Sequence, residues 1–353
     1  GVAWLVLALL GSVPWASAAT PLATYRFNDT LAADQPGAPA VQAIDPLGLS
    51  GFETVEVFGQ SRPGYRFNGN ESPSSQQAGL VLATTGLASL TRYTVEMIFS
   101  FDQTAYYRRV LDVENRESDS GLYVNPDNQV ELYYNDNTIA VGTTQLGTGF
   151  HHLLFVVDDG TVRVYVDGVR QFAVATTGMS LDNANNPQRL INLFVDNAAS
   201  GGASDEYSDG RIALCRLFDA ALTDVEAVQL FQEANGLPSL AVSLNDTALV
   251  TGETLGIRAV TASGPTQALV DLYVILQVPG DIFASVIGGG GLVLGAVPLA
   301  SSLAPVAADV EVFAHTFTGD EPSGTYVVYA AITEPGTLNV LGVVQLATFS
   351  FAP

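Results

Sequence analysis

Asp196 and Asn197, followed by Asp205, Glu206 and Asp209, form an acidic run between two predicted strands, and Asp119 precedes another strand. Carboxylates and amides at this density are the donors a hard cation takes, because calcium gathers about six to eight oxygens from Asp, Glu, Asn and backbone carbonyls. Asp196, Asn197, Glu206 and Asp119 are therefore the candidate metal ligands, and a structural Ca2+ is the candidate cofactor. A solvated acidic surface accounts for the same residues in a chain this acidic, so that alternative stays open. One Cys and three His leave no means of building a thiolate or imidazole zinc cluster.

Catalytic patterns are incomplete. A pair of carboxylates on one strand could serve glycoside hydrolysis if period-two alternation aimed both at one cleft. The nearest approach is Glu117 and Asp119, but the position that should supply a third acid is Leu122. His151 and His152 open a predicted strand and read as a polar strand end, not as part of a Ser/His/Asp set. No catalytic residue is assigned. Tyr106-Tyr107 and Tyr133-Tyr134 offer rings on which a sugar could stack, although alternation on a strand should send one of each pair into the core. Cys215, between apolar neighbours, reads as an inert buried thiol.

Bulk properties narrow the partners. The 353 residues carry 36 acidic side chains against 13 basic ones, all Arg, for a net charge of −23. Such a surface repels nucleic acid phosphates and anionic lipid. With 48% hydrophobic residues and 34 glycines, the chain belongs among folded proteins. Its length suits two domains and a short terminal segment. Residues 1–19 combine an apolar run, Val2 to Leu10, with the small residues Ala16-Ser17-Ala18, the pattern of a cleaved signal peptide. The expected location is secreted or cell-surface, the periplasm included. A second apolar stretch, Ile282 to Pro305, is broken by Gly288 to Gly291 and Pro298 and reads as a glycine-rich loop between strands, leaving no membrane span in the mature chain.

The elements needed to position these residues are strands. In residues 151–174, Val162, Val164 and Val166 alternate with Arg163, Tyr165 and Asp167, and Asp159-Gly160 and Asp167-Gly168 are hairpin turns, so the stretch is a three-strand antiparallel meander. Further strands are predicted at 23–28, 65–68, 93–101, 109–114, 121–125, 129–134, 189–195 and 211–218. One helix follows, with a Thr223/Glu226 capping box, an apolar stripe of Val225, Val228, Leu230 and Phe231, and a stop at Gly236 and Pro238. From Leu240 onward about seven short strands suggest an immunoglobulin-like sandwich.

Residues 20–236 resemble the LamG-like jelly roll, the concanavalin A-like sandwich of laminin G domains, pentraxins, legume lectins and several glycoside hydrolases. The resemblance is carried by YRFNDTLAAD, by FHHLLFVVDDGTVRVYVDG and by GRIALCRLFDAALTDVEAVQLF. Phe150 stands where that family usually has Trp, and Ala213-Leu214 where many members carry an acidic pair. The resemblance implies a rim calcium. Residues 239–353 are similar to immunoglobulin-like modules appended to bacterial exported proteins, through VDLYVIL and PSGTYVVYA. The expected fold is thus all-β: residues 1–19 a signal peptide, 20–236 a concanavalin A-like jelly roll, 239–353 an immunoglobulin-like β-sandwich. The expected function is non-catalytic recognition of a glycan or extracellular protein. A structural subunit of an extracellular filament, self-associating through edge strands, and a glycoside hydrolase or polysaccharide lyase are the alternatives.

Overall fold

The structure, a computed structural model, describes residues 20–198, 206–236, 239–262, 269–304, 306, 308–341 and 344–353. The expected signal peptide and Asp205 lie outside the described residues. The chain is all-β apart from one α-helix and a short 3-10 turn among those residues.

Between Ala23 and Phe218 two antiparallel sheets face each other. The first orders its strands Val169–Ala175, Thr161–Val166, His151–Asp158, Arg92–Phe101, Gly210–Phe218, Gln60–Phe67 and Gly51–Val57, with Ala23–Tyr25 also paired to Gly210–Phe218. The second runs Asn137–Gln145, Gln129–Tyr134, Gly121–Val124, Arg108–Asp112, Leu190–Leu193, Gly79–Ala83 and Gln42–Ile44. Their inner faces share one core, in which Val95, Met97 and Phe99 of the first sheet belong with Leu111, Leu122 and Leu132 of the second. Cys215 is sealed in that core, and burial pushes its thiol pKa up, as expected of an inert cysteine.

The meander forms where the sequence places it. Asp159, Gly160, Asp167 and Gly168 all adopt positive φ, the paired left-handed geometry that matches a two-residue turn to strand twist. Gly168 has a further reason to be glycine, because a Cβ there would lie 2.8 Å from the Phe231 ring. Phe231 belongs to the helix Asp224–Ala234, whose capping box forms in full between Thr223 and Glu226. On the outer face of the first sheet, Val55, Val57, Ile98 and Leu214 cluster with Ala234 of the helix, and Leu154, Val156 and Phe218 with the helix residue Ala227, so Arg92–Phe101 is buried on both faces after its first residue.

That outer layer contains a buried ion cluster. His152 is fully buried, not a polar strand end: its Nε2 lies 2.9 Å from Glu96 Oε1, and Arg216 Nη2 donates to the same oxygen at 2.8 Å. Desolvation raises the Glu96 pKa, but Arg216 and His152 outweigh it and hold the carboxyl below its ordinary value.

A second pair of sheets, from Ser239 to Ala352, encloses a separate core that includes Ile257, Val274, Val328 and Phe349. Its smaller sheet contains Ser239–Leu244, Thr254–Ala262 and Ala308–Thr316. The larger orders Ala248–Val250, Gln345–Ala352, Gly324–Thr333, Val270–Val278, Ile282–Ile287 and Gly291–Leu294, with Ala300–Leu303 also on Val270–Val278. Ala248–Val250 pairs in parallel with Gln345–Ala352; the other ladders here are antiparallel. The stretch Ile282 to Pro305 is thus corrected from a glycine-rich loop to three strands, its glycines confined mainly to the turn after Ile287, where Gly289 and Gly290 take positive φ.

Candidate functional site

At one end of the first sandwich, three loops converge. Asp119 sits in the connection from Arg108–Asp112 to Gly121–Val124, Asp196 and Asn197 just beyond Leu190–Leu193, and Glu206 shortly before Gly210–Phe218. One oxygen each from Asp119, Asp196 and Glu206 lie within 4.8 Å of one another. The sequence reading named all three. Asn197 joins them, its side-chain amide donating to Asp119 Oδ1 and its backbone N–H to Asp196 Oδ1 at 2.7 Å. Asp209 stands apart from this cluster, its Oδ1 taken up by the Gly69 N–H and the Tyr207 hydroxyl.

Each loop is held by the core below it. Phe194 takes a positive φ and stacks on Phe67 at 4.3 Å, which fixes the chain two residues before Asp196. The Asp196 N–H donates to Gln77 Oε1 at 2.9 Å, and its carbonyl accepts from Arg116 Nε at 2.6 Å. The Glu206 carbonyl accepts from the Arg109 N–H, and the Asp119 carbonyl from the Tyr123 hydroxyl.

Arg109 is the residue the sequence reading missed. Its side chain is sealed from solvent beneath the cluster and lies over the Tyr123 ring, with Cζ 5.0 Å from the centroid. Nε donates to the Tyr123 hydroxyl at 2.7 Å, Nη1 to Asp112 at 3.2 Å and Nη2 to the Ser118 carbonyl at 2.9 Å. Burial pulls its pKa down, but Tyr123, Asp112 and Asp196 more than reverse this and keep it charged. Asp196 moves the opposite way from most paired acids: desolvation raises its pKa, with Asp119 adding to the rise and Arg109 and the Asn197 N–H only partly offsetting it.

The oxygen separations suit a cation with ligands about 2.3–2.6 Å away, and the all-oxygen donor set suits calcium better than softer metals. Bound there, calcium would offset the burial, and the nearby Asp119 charge, that make Asp196 hard to ionise. Asp119, Asp196, Glu206 and Asn197 are the side chains that would hold it.

Asp119 also lines a cleft of about 630 Å³. Around the cleft stand Glu114, Asp136 and Asp182, the amides of Asn135, Asn183 and Asn185, several hydroxyls, and Tyr134. Among the described residues no basic side chain lines it. Asn135 and Asp136 both adopt positive φ in the turn from Gln129–Tyr134 to Asn137–Gln145, a hairpin the sequence reading did not include. The Tyr134 ring packs so closely on Gly178 that a Cβ there would lie 2.5 Å from it. Asn183 Nδ2 donates to Glu114 Oε1 at 3.2 Å, tying two walls together.

Tyr134 is half-buried and packs against the core, as expected of one member of its pair, with Tyr133 half-buried beside it, while Tyr106, in a loop, is 60% exposed. One expectation needs correction. Glu117 and Asp119 lie in a loop, not along a strand, while Leu122 is fully buried in Gly121–Val124.

Residues 74–227, which contain all four candidate ligands and the cleft, match the family model described as the concanavalin A-like lectin/glucanases superfamily, laminin G type. This part of the chain has a concanavalin A-like fold. Among solved structures, the chain is similar to domain 4 of AbnA, a GH43 extracellular arabinanase from Geobacillus stearothermophilus in complex with arabinotriose, at 20% identity over 61% of this chain and 100% of that one, TM-score 0.44. It is also similar to the binding domain of botulinum neurotoxin serotype C1, at 9% identity over 94% of each chain, TM-score 0.43. A Trypanosoma rangeli sialidase complexed with 2,3-difluorosialic acid matches at 17% identity over 52% of this chain and 29% of its own, TM-score 0.36. No curated protein matches by sequence. Among the described residues no helix is long and apolar enough to cross a membrane. The concanavalin A-like domain places its acidic cluster and its cleft side by side, with Asp119 common to both.

Proposed function

We propose that the concanavalin A-like domain is a non-catalytic recognition module that binds a neutral glycan in the cleft beside Asp119, with a calcium ion on Asp119, Asp196, Glu206 and Asn197 setting the rim. The observation that carries the reading is the double membership of Asp119, which lets an ion at the rim order one wall of the cleft. Carboxylates, amides and hydroxyls are the groups that hydrogen-bond sugar hydroxyls, and Tyr134 offers an apolar ring face to a pyranose or furanose. Glu114, Asp136 and Asp182 lie outside the calcium set, and with no basic side chain among the described lining residues they disfavour uronates, sialates and sulfated sugars, which would meet like charge.

The reading leaves catalysis out because Glu117 and Asp119 lie in a loop, not in a strand pattern aimed at one cleft, and the position expected to hold a third acid is buried Leu122. Export by a signal peptide at residues 1–19 and an immunoglobulin-like spacer at 239–353 would place this module outside the cell. A glycan array probed in calcium tests the proposal: neutral oligosaccharides should bind and uronic or sialic acid oligosaccharides should not. Steady release of reducing ends from a bound oligosaccharide, lost in Asp119→Asn, would replace recognition with hydrolysis.

A further inference from the structure

Tyr133 and Tyr134 are consecutive at the end of Gln129–Tyr134, so alternation sends their rings to opposite faces of the second sheet. Tyr134 turns to the core side and lines the cleft. Tyr133 turns the other way, where its ring meets the buried Tyr123 ring edge-on, with centroids 6.4 Å apart and planes at 87°. Tyr107 meets the same Tyr123 ring at 6.0 Å and 88°. The Tyr123 hydroxyl donates to the Asp119 carbonyl at 2.8 Å, so one buried side chain positions two half-buried rings and a loop of the acidic rim. On the same face as Tyr133, Glu131 is buried, its oxygens taken by Thr138 Oγ1 at 2.7 Å and Asn125 Nδ2 at 3.1 Å, so the floor between the rings is ordered.

We infer that Tyr107 and Tyr133 form a second sugar subsite, across Asp119 from the Tyr134 cleft, so that the domain holds an internal stretch of a neutral polysaccharide and not only a chain end.

The groups around the rings select a sugar as the occupant. Burial raises both phenol pKa values, and nearby acids add to the rise, Glu131 and Glu206 at Tyr107, Asp136 and Asp119 at Tyr133. The rings thus stand among carboxylates, which repel anions and which an apolar helix or sheet would strip of water without compensation. A neutral sugar brings an apolar ring face to the tyrosines and hydroxyls to the acids. Among the described residues the Tyr107 and Tyr133 hydroxyls make no hydrogen bond, whereas that of Tyr123 is engaged, so both are available to a ligand. Tyr106, next along the loop, is 60% exposed and held at φ 74°, a backbone state that is rare for a bulky side chain and clusters at ligand clamps. Asp119 makes the face continuous with the cleft, since it lines the cleft and its charge reaches Tyr133. This subsite rests on the glycan reading and adds to it the length of chain recognised.

Calorimetry of the full chain in calcium, with neutral gluco-, xylo- and arabino-oligosaccharides from disaccharide to hexasaccharide, tests it. In the series that binds, the hexasaccharide should bind about tenfold tighter than the disaccharide. Tyr133→Ala and Tyr107→Ala should each remove most of that gain, with thermal melts matching the unmodified chain. Should Tyr133→Ala melt early, Tyr133→Leu keeps the packed bulk without the aromatic face and should lose the gain as well. Equal affinity for short and long chains, or a gain that survives in every folded Tyr variant, overturns the subsite and leaves the cleft reading intact. No binding at any length removes both. A folded chain that gains nothing from length but holds an arginine-rich peptide through Tyr133 assigns the face to a cationic partner and likewise overturns the inference.

Discussion

Arg109 Nε lies 3.9 Å from Asp196 Oδ1, with both side chains withdrawn from solvent, so the acidic rim of the first sandwich is built over a resident cation. That cation also binds Asp112 and the Tyr123 hydroxyl, and Tyr123 in turn holds the loop of Asp119. The cluster is therefore partly neutralised from below before any ion reaches it from above.

Replacing Arg109 by Met should be costly, because it leaves Asp112 and Asp196 as buried charges without their partner. Breaking a buried pair on one side typically costs about 3–5 kcal/mol. Urea unfolding should show that loss in chelator, and calcium should restore part of it by supplying charge to Asp196. An Arg109→Met midpoint equal to that of the unmodified chain would remove the guanidinium from the account.

Calcium affinity should depend on pH above the usual carboxylate range. Burial raises the Asp196 pKa, so its proton competes with the metal earlier than at an ordinary Asp, whose pKa is about 3.9. In the metal-free protein the sign reverses: a raised folded-state pKa means that stability from this group increases as pH falls through that value. Calorimetric calcium titrations at descending pH should weaken before ordinary carboxylates protonate. Affinity that stays flat down to that range would contradict the Asp196 assignment.

In the second sandwich, Glu321 carries a pH dependence of opposite sign. Desolvation pushes its pKa up, but His315 and the backbone N–H groups of Thr318 and Gly319 outweigh this and hold it at about 2. A depressed carboxyl stabilises the fold above its unfolded value of about 4.3 and loses that contribution as pH falls toward 2. Glu321→Gln should thus lower the melting temperature at neutral pH, with the difference shrinking in acid. An equal difference at all pH values would make the effect one of shape, not charge.

How much was legible in the sequence follows from the range over which each feature is encoded. Asp159-Gly160, Asp167-Gly168 and the Thr223/Glu226 box are local chemistry and form as read. The turn at Phe58-Gly59 was not read, because a Phe at φ 49° gives no turn signal. The strand order places Arg92–Phe101 between His151–Asp158 and Gly210–Phe218, partners brought together from distant parts of the sequence, which no local pattern specifies. The acidic cluster was visible because its carboxylates are concentrated in short loops next to strands. Arg109 was not, since the second of two Arg at the start of an apolar strand looks like an exposed edge residue until the loops above it are in place.

Calorimetry of one neutral oligosaccharide bound to the full chain, in calcium and in chelator, tests the central claim most directly, with Asp119→Ala and Asp182→Ala as comparisons. Asp119 belongs to the cluster and the cleft, whereas Asp182 lines the cleft alone. The account predicts that chelator weakens glycan binding by roughly tenfold or more, about 1.4 kcal/mol. It also predicts that Asp119→Ala loses both calcium and glycan, and that Asp182→Ala loses glycan but keeps calcium. Glycan affinity that is the same in calcium and chelator, and unchanged in Asp119→Ala, would contradict it.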